Sequence, residues 1–277
     1  MANDDQPDLG EAFREMHVPG KPFVLANAHD QGSARMLAAL GARAVATTSA
    51  GFAFTLGRPD GASVSRDEAL DHAEDIVRAV RVPVSADLEH GYADDPDGVA
   101  ETIELAAETG LVGCSIEDTT FERGKPSYDF DIAVARVAAA VEAAEALAFP
   151  FTLTARADGV MIGAYDLDEG IRRLQAFEAV GAHCLYLPHP AGTMADVARV
   201  CGSVGAPVNA LAAGNLVKNR LADFARAGAA RVSLGSSLAR VTHRMVHDLG
   251  RAVVRDGDFS GLALGMPGDD VDRLLKG

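Results

Sequence analysis

The chain has no tryptophan, and aromatic residues make up only 5% of its 277 positions. Its hydrophobic content of 48% is therefore carried by alanine, valine and other aliphatic side chains. That is enough for a sizeable core, and it favours helices lying close on a sheet through small side chains. Cysteine is scarce too. Cys114, Cys184 and Cys201 form no Cys-x-x-Cys pair and are odd in number, which argues against a disulfide framework and makes a reducing cytoplasm the expected compartment. Basic residues are outnumbered, 25 Lys and Arg against 40 Asp and Glu, for a net charge of −15. With no Lys/Arg cluster, a nucleic-acid partner is not expected. An anionic substrate stays open, because a local divalent cation can reverse the sign of one cleft. No apolar run reaches the ~20 residues of a membrane helix. The acidic start MANDDQPDLG has neither the basic nor the apolar region of a signal peptide, so no membrane partner is expected either.

What the chain has instead is a repeated alternation. Eight short apolar runs read as strands: FVLANA (23–28), AVATTS (44–49), VPVSADL (82–88), GCSIED (113–118), FTLTARAD (151–158), CLYLPHP (184–190), PVNALAA (207–213) and RVSLGS (231–236). Their starts lie about 30 residues apart on average, the size of one strand–helix repeat. Helical segments fall between them. Ser65 and Glu68 form a capping-box pattern, and Asp95-Pro96 reads as an N-cap followed by proline at the first helical position. Gly41, Gly110, Gly181 and Gly228 stand where helices should stop. In the segment 129–147, Ile132, Val134, Val137 and Val141 suggest a broad apolar stripe. Eight alternations predict an α/β protein with a parallel sheet closed into a single (β/α)8 barrel domain. An open doubly wound sheet is the alternative, but no GxGxxG follows the first strand. Residues 238–277 read as a helical extension: a long helix to about Arg255, a Gly/Pro-rich connection, and a short terminal helix suited to packing on a neighbouring subunit.

In such a barrel the chemistry sits at the C-terminal strand ends. Here these ends carry Ser49-Ala50-Gly51 with Asp60 beyond, then Asp87 and Glu89, Glu117 and Asp118, Arg156 and Asp158, His189, Asn209 and Ser236. Alternation along a strand puts Asp87 and Glu89 on one face, and Glu117 on the next strand joins them. Carboxylates so close repel and raise one another's pKa unless compensated. A hard divalent cation such as Mg²⁺ is the natural compensation. Arg156 is placed to meet an anionic substrate oxygen. Cys114 and Cys184 lie within apolar runs and read as core residues.

Taken in order, TTSAGFAFTLGRPDG, ADLEHGY, GCSIED, FTLTARAD and RRLQAFEAVGAHCLYLP resemble the isocitrate lyase/phosphoenolpyruvate mutase superfamily, from about Phe13 to Arg255. The resemblance implies a barrel whose C-terminal helices are exchanged between subunits of a homodimer or homotetramer. It implies Mg²⁺ (or Mn²⁺) and a small 2-oxo or 2-hydroxy carboxylate whose bond breaks next to an enolate. By motif, Asp87 is similar to the direct metal ligand, and Glu89, Glu117 and Asp60 to ligands of metal-bound water. Ser49, Ala50 and Gly51 resemble the loop that holds the substrate carboxylate, Arg156 the substrate-oxygen arginine, and Asn209 a substrate-facing polar group. His189 joins the substrate-binding candidates by its place at a strand end.

One loop departs from the pattern. The lyases carry a cysteine and a histidine after the fourth strand, but TTFERGKPSYD (119–129) has neither. Glu122, Arg123 and Lys125 are the polar groups it offers, with Lys125 the catalytic candidate. Decarboxylation of a 2-oxo di-acid needs little beyond a stabilised enolate, since CO₂ leaves unaided. The sequence therefore favours a Mg²⁺-dependent C–C lyase acting on a small 2-oxo or 2-hydroxy di- or tricarboxylic acid, with decarboxylation ahead of retro-aldol cleavage. P–C chemistry, as phosphonopyruvate hydrolase or phosphonomutase, is the first alternative. A non-catalytic metabolite-binding relative is the second.

Overall fold

The computed structural model describes residues 5–61, 63–122 and 124–276. The strands are β1 (Phe23–Asn27), β2 (Val45–Ala46), β3 (Val84–Asp87), β4 (Gly113–Glu117), β5 (Thr119–Glu122), β6 (Lys125–Ser127), β7 (Thr152–Arg156), β8 (Cys184–Tyr186), β9 (Val208–Leu211) and β10 (Arg231–Ser233). Eight of them close a parallel barrel in the order β1-β10-β9-β8-β7-β4-β3-β2, and β5 and β6 form a separate antiparallel hairpin. All eight expected runs become barrel strands. The hairpin occupies the 119–129 loop.

The helices are α1 (Gln6–Glu15), α2 (Gln31–Ala39), α3 (Ser49–Thr55), α4 (Arg66–Ala79), α5 (Pro96–Glu108), α6 (Phe130–Glu145), α7 (Gly159–Ile162), α8 (Leu167–Ala179), α9 (Met194–Gly202), α10 (Leu221–Arg226), α11 (Ser237–Arg251) and α12 (Gly268–Lys276). The capping box at Ser65–Glu68 and the Asp95 cap form as the sequence suggests. The apolar stripe of α6 does not run through Ile132, which is exposed; Ala133, Val137, Ala140 and Ala144 are buried instead. Side chains this small let α5 and α6 approach closely, so alanine rather than bulk sets that contact. No helix among the described residues is long and apolar enough to cross a membrane.

The barrel interior is unusually polar. Small barrels of this kind are ordinarily filled by layers of branched aliphatic residues. Here a cavity of about 450 Å³ opens into the barrel, lined by Ser85, Ser115, Asn209, Arg231 and Ser233 together with Asp87 and Arg156. The apolar core lies outside the barrel wall, between strands and helices, in residues such as Ile103, Leu153, Leu174 and Phe177. Gly113 begins β4 because nothing larger fits: a Cβ there would stand 2.6 Å from the Thr152 carbonyl oxygen.

Helix α1 closes the end of the barrel opposite its mouth. Gln6 donates to the carbonyls of Ala107 and Leu111 at 2.8 and 2.9 Å, and Phe13 packs against Phe23 and Val112. His17 sits edge-on to Phe13 and Phe23. Its Nδ1 bonds the Phe13 carbonyl at 2.8 Å and its Nε2 meets Arg231 Nη1 at 3.1 Å. A carbonyl can only accept and a guanidinium can only donate, so the ring is neutral, with its proton on Nδ1. Burial, then Arg231, pushes the His17 pKa down to about 3.

The sign of the linkage follows. A histidine neutral in the fold but free to protonate when unfolded contributes stability above pH 6.5, lost as the pH falls toward 3. At pH 5 the His17 contribution should be weaker by about 2 kcal/mol. His72 and His90, each lowered to about 4 chiefly by burial, act in the same direction. In urea unfolding at pH 7 and pH 5, His17→Gln should lose about 2 kcal/mol less than the wild type between the two pH values. An identical pH dependence in the two proteins would contradict the neutral-histidine assignment.

Candidate active site

The barrel mouth gathers its charged groups around one arginine. Arg156, the last residue of β7, projects inward and donates from Nη1 to Asp87 Oδ1 at 2.6 Å. Its Nη2 lies 2.8 Å from Glu117 Oε2. Asp158 takes the opposite edge in a fork, with Nε to Oδ1 at 3.1 Å and Nη2 to Oδ2 at 2.6 Å. The guanidinium is almost fully buried, and burial alone would disfavour its charge. Asp158, Glu117 and Asp87 reverse that and hold it protonated. One cation among three carboxylates leaves negative charge in excess. Burial pushes the Glu117 carboxyl well up; Arg156 opposes the shift, and Asp158 and Asp87 add to it.

Asp87 is held from two further directions. Its backbone N–H donates to Thr47 Oγ1 at 2.9 Å, and its Oδ2 accepts from the Ser49 N–H and hydroxyl at 3.1 and 2.8 Å. The sequence suggested a loop for Ser49-Ala50-Gly51, but these residues form the first turn of α3. Thr48 caps that turn, its side chain accepting from the Gly51 N–H. A Cβ on Gly51 would lie 2.5 Å from Thr48 Cγ2, so glycine is what lets the turn close.

Glu89 corrects a second expectation. Strand β3 ends at Asp87, and Glu89 lies beyond it with φ 48°, so simple alternation does not carry it to the face of Asp87. Glu89 is nevertheless brought to the site by its turn. The Glu89 carbonyl accepts from the Glu117 N–H at 2.8 Å, and Tyr92 from the same turn lines a pocket with Asp87; burial first, then the charges of Glu89, Asp87 and Glu117, raise the Tyr92 phenol. Buried Arg136 on α6 fastens that turn, donating to the carbonyls of His90, Ala93 and Asp94. Asp60 stands at the rim, its carboxyl raised by partial desolvation and by Asp87.

Other expected residues fall elsewhere. Lys125 sits on the exposed hairpin, paired with Asp129 at 3.2 Å; its long, solvated side chain goes to the nearer carboxylate. His189 lines a small apolar pocket between β8, β9 and α9 with Leu187, Val197 and Val200, outside the cavity that holds Asp87 and Arg156. Asn209 does line that cavity. Arg123 lies outside the described residues. Nothing in the sequence alone marks a role for Asp118 or Tyr186. Buried Asp118 accepts from the Asp158 N–H, the Tyr165 hydroxyl and Arg173 at 2.6–2.8 Å, so it anchors the segment that clamps Arg156. A polar residue two positions before a charged one in an apolar run (Ser85/Asp87, Ser115/Glu117, Thr154/Arg156) was the available sign of the polar interior.

Asp87, Glu89, Glu117 and Asp60 offer only hard oxygen donors and surplus negative charge, which suits a divalent cation such as Mg²⁺. Among the described residues, no three His, Cys, Asp or Glu side chains are gathered as a ready-made cage. A small cation that keeps most of its water would need only one or two of these carboxylates as direct ligands.

A profile of the phosphoenolpyruvate phosphomutase family matches residues 13–254. The chain belongs to that family. A Burkholderia cenocepacia J2315 protein, provisionally described as a lyase/mutase, is 45% identical, with a TM-score of 0.94 over 99% of this chain and 98% of that one. The oxaloacetate decarboxylase of Paraburkholderia xenovorans is 30% identical over 91% of this chain and 83% of its own. A phosphonopyruvate hydrolase solved with oxalate and Mg²⁺ shares the fold, at 20% identity and a TM-score of 0.84 over 97% and 94% of the two chains. The Asp158 clamp on Arg156 in this chain gives a direct stability test. Asp158→Asn keeps the shape but weakens a charged fork, and should lower the unfolding free energy in urea by about 1.5–3 kcal/mol. An unchanged midpoint and slope would show that the clamp carries no weight.

Proposed function

We propose that the protein is a divalent-cation-dependent C–C lyase that acts on a small 2-oxo or 2-hydroxy di- or tricarboxylic acid through an enolate, with decarboxylation the favoured chemistry. The observation that carries this reading is Arg156, buried and charged, held by Asp87, Glu117 and Asp158 at the mouth of a polar cavity. The likeness to an oxaloacetate decarboxylase over most of both chains supports the choice of substrate class.

Asp87 would hold Mg²⁺, or Mn²⁺, directly, with Glu89, Glu117 and Asp60 acting through its waters. When bound, the cation supplies Lewis acidity to the oxygen next to the breaking bond. The chain's own residues do the rest. Asp158 keeps the Arg156 guanidinium in one plane, so that its charge is ready for an oxygen that gains negative charge. Ser49, Ala50 and Gly51 in the first turn of α3 would receive the substrate carboxylate, with Ser49 turning from Asp87 and the Gly51 N–H from Thr48 to do so, and Asn209 fixes polar groups deeper in the cavity. As the C–C bond breaks, its electron pair moves into the enolate and CO₂ departs.

The assembly we propose is a homodimer or homotetramer. Helix α11 and the segment after it leave Val241, Val246, Val254, Phe259 and Leu264 exposed. Beside the first turn of α11, which contributes Leu238, the residues Phe23, Val24, Leu37, Leu40 and Leu234 line a groove of about 1110 Å³ over the outer face of β1. An apolar helix without a bed and an apolar bed without a helix fit one another between two copies. The terminal helix α12 differs from the expected exchange: it lies on α2 of its own chain, with Arg35 donating to the Leu275 carbonyl at 3.1 Å. Three free cysteines suit the cytoplasm as its place.

Oxaloacetate, methylisocitrate, dimethylmalate and phosphonopyruvate, each incubated with Mg²⁺ and analysed for products, test the reading. Pyruvate and CO₂ from oxaloacetate, lost with a chelator and reduced about 10²–10³-fold in kcat/KM by Arg156→Gln, are expected. Phosphate release from phosphonopyruvate, with the C–C substrates untouched, would replace this reading with P–C chemistry.

A further inference from the structure

An enolate released by C–C cleavage needs a proton on carbon. The hairpin at 119–127 brings no cysteine or histidine to supply one. The cavity itself contains a better-placed acid. Tyr186 ends β8 in register with Arg156 and lines the cavity that holds Asp87. The Arg156 guanidinium carbon lies 5.3 Å from its ring centroid.

In the same cavity a chain of hydrogen bonds runs from Arg231 to Ser233 in a fixed direction. Arg231 Nε donates to Asn209 Oδ1 at 2.9 Å, and Asn209 Nδ2 donates to Ser233 Oγ at 2.8 Å. Ser233 lines the same cavity as Tyr186, and its hydroxyl favours the Tyr186 anion against the burial that raises the phenol. A guanidinium has no acceptor, so the Asn209 amide must turn its oxygen to Arg231 and its NH₂ to Ser233. The serine accepts from Asn209 and keeps its own O–H to offer toward the Tyr186 oxygen. Among the described residues that line this cavity, Tyr186 is the only one that carries a neutral acidic O–H at the level of Arg156. Arg231 makes its other two bonds to neutral acceptors, His17 Nε2 and Thr154 Oγ1, both at 3.1 Å. Its charge is met by no carboxylate among the described residues, so it is free to act along the chain.

We propose that Tyr186 is the catalytic acid that protonates the enolate carbon, with Ser233, Asn209 and Arg231 as positioning residues that steady the phenolate it leaves. This rests on the enolate reading above. In the step, the enolate π pair forms the new C–H bond to the phenolic hydrogen. The O–H bond breaks, its pair stays on the tyrosinate, and cavity water later returns the proton. Burial raises the Tyr186 phenol, so it is protonated and able to donate at neutral pH.

Exchange of pyruvate methyl hydrogens with D₂O, followed by ¹H NMR in the presence of Mg²⁺, runs the same transfer in reverse through the phenolate. The wild type should exchange. Tyr186→Phe should lower the rate by about 10²-fold or more, while oxalate binding in Mg²⁺, measured by calorimetry, stays as in the wild type. Ser233→Ala should slow exchange without changing oxalate affinity, and Ser233→Thr should restore it. Exchange that survives in Tyr186→Phe overturns the assignment of Tyr186 and leaves the enolate reading standing. A wild type that binds oxalate but exchanges nothing overturns both.

Discussion

The fork between Arg156 and Asp158 is the interaction on which the site depends. A buried guanidinium is costly alone, and three buried carboxylates are costlier still. Each makes the other tolerable, but the count does not balance, and the surplus is negative. That surplus, together with the all-oxygen donor set, is what suits the site to a hard cation. It also explains why Asp118 matters: by taking the Asp158 N–H and pairing with Arg173, it fixes the edge of Arg156 that faces away from the cavity. The face left over, toward Asp87 and Glu117, is where exchange of partners can happen without losing the arginine's position.

A polar barrel interior follows from the same constraint. Most barrels of this size fill the space below the strand ends with branched aliphatics. Here serines, a threonine and two asparagines occupy that space, and the floor is a second arginine, Arg231, sealed by His17 and helix α1. The neutrality of His17 and the direction of the Arg231–Asn209–Ser233 chain are one fact seen from two ends. Both arise because a guanidinium can only donate. The apolar driving force for folding is correspondingly displaced outward, into the layer between strands and helices, where alanine-rich faces such as those of α5 and α6 pack closely.

Much of this was legible in the sequence. Period, caps and stop glycines located all eight barrel strands and most helices, because those signals are local. Asp87, Glu117 and Arg156 were legible because each ends an apolar run. Glu89 was reached by the wrong route: its left-handed backbone is set by a turn that Arg136 fastens from 46 residues away in sequence. Lys125 and His189 misled because position at a strand end says nothing about which carboxylate or pocket lies nearest once the chain has folded. Tyr186 and Arg231 were passed over because a tyrosine or arginine inside an apolar run looks like wall until the closed barrel shows which way it points. The helical first turn at Ser49 was hidden because its cap, Thr48, sits inside a run that reads as strand.

The central claim is that Asp87 and its neighbours form a cation-dependent seat for an enolate, with Arg156 at its side. Calorimetric titration of oxalate, an enolate mimic, into the wild type and Asp87→Ala tests it most directly, with circular dichroism confirming that both are folded. The account predicts binding by the wild type only when Mg²⁺ is present, and none by Asp87→Ala in either condition. Equal binding by the two proteins, or binding by the wild type that a chelator leaves unchanged, would contradict it.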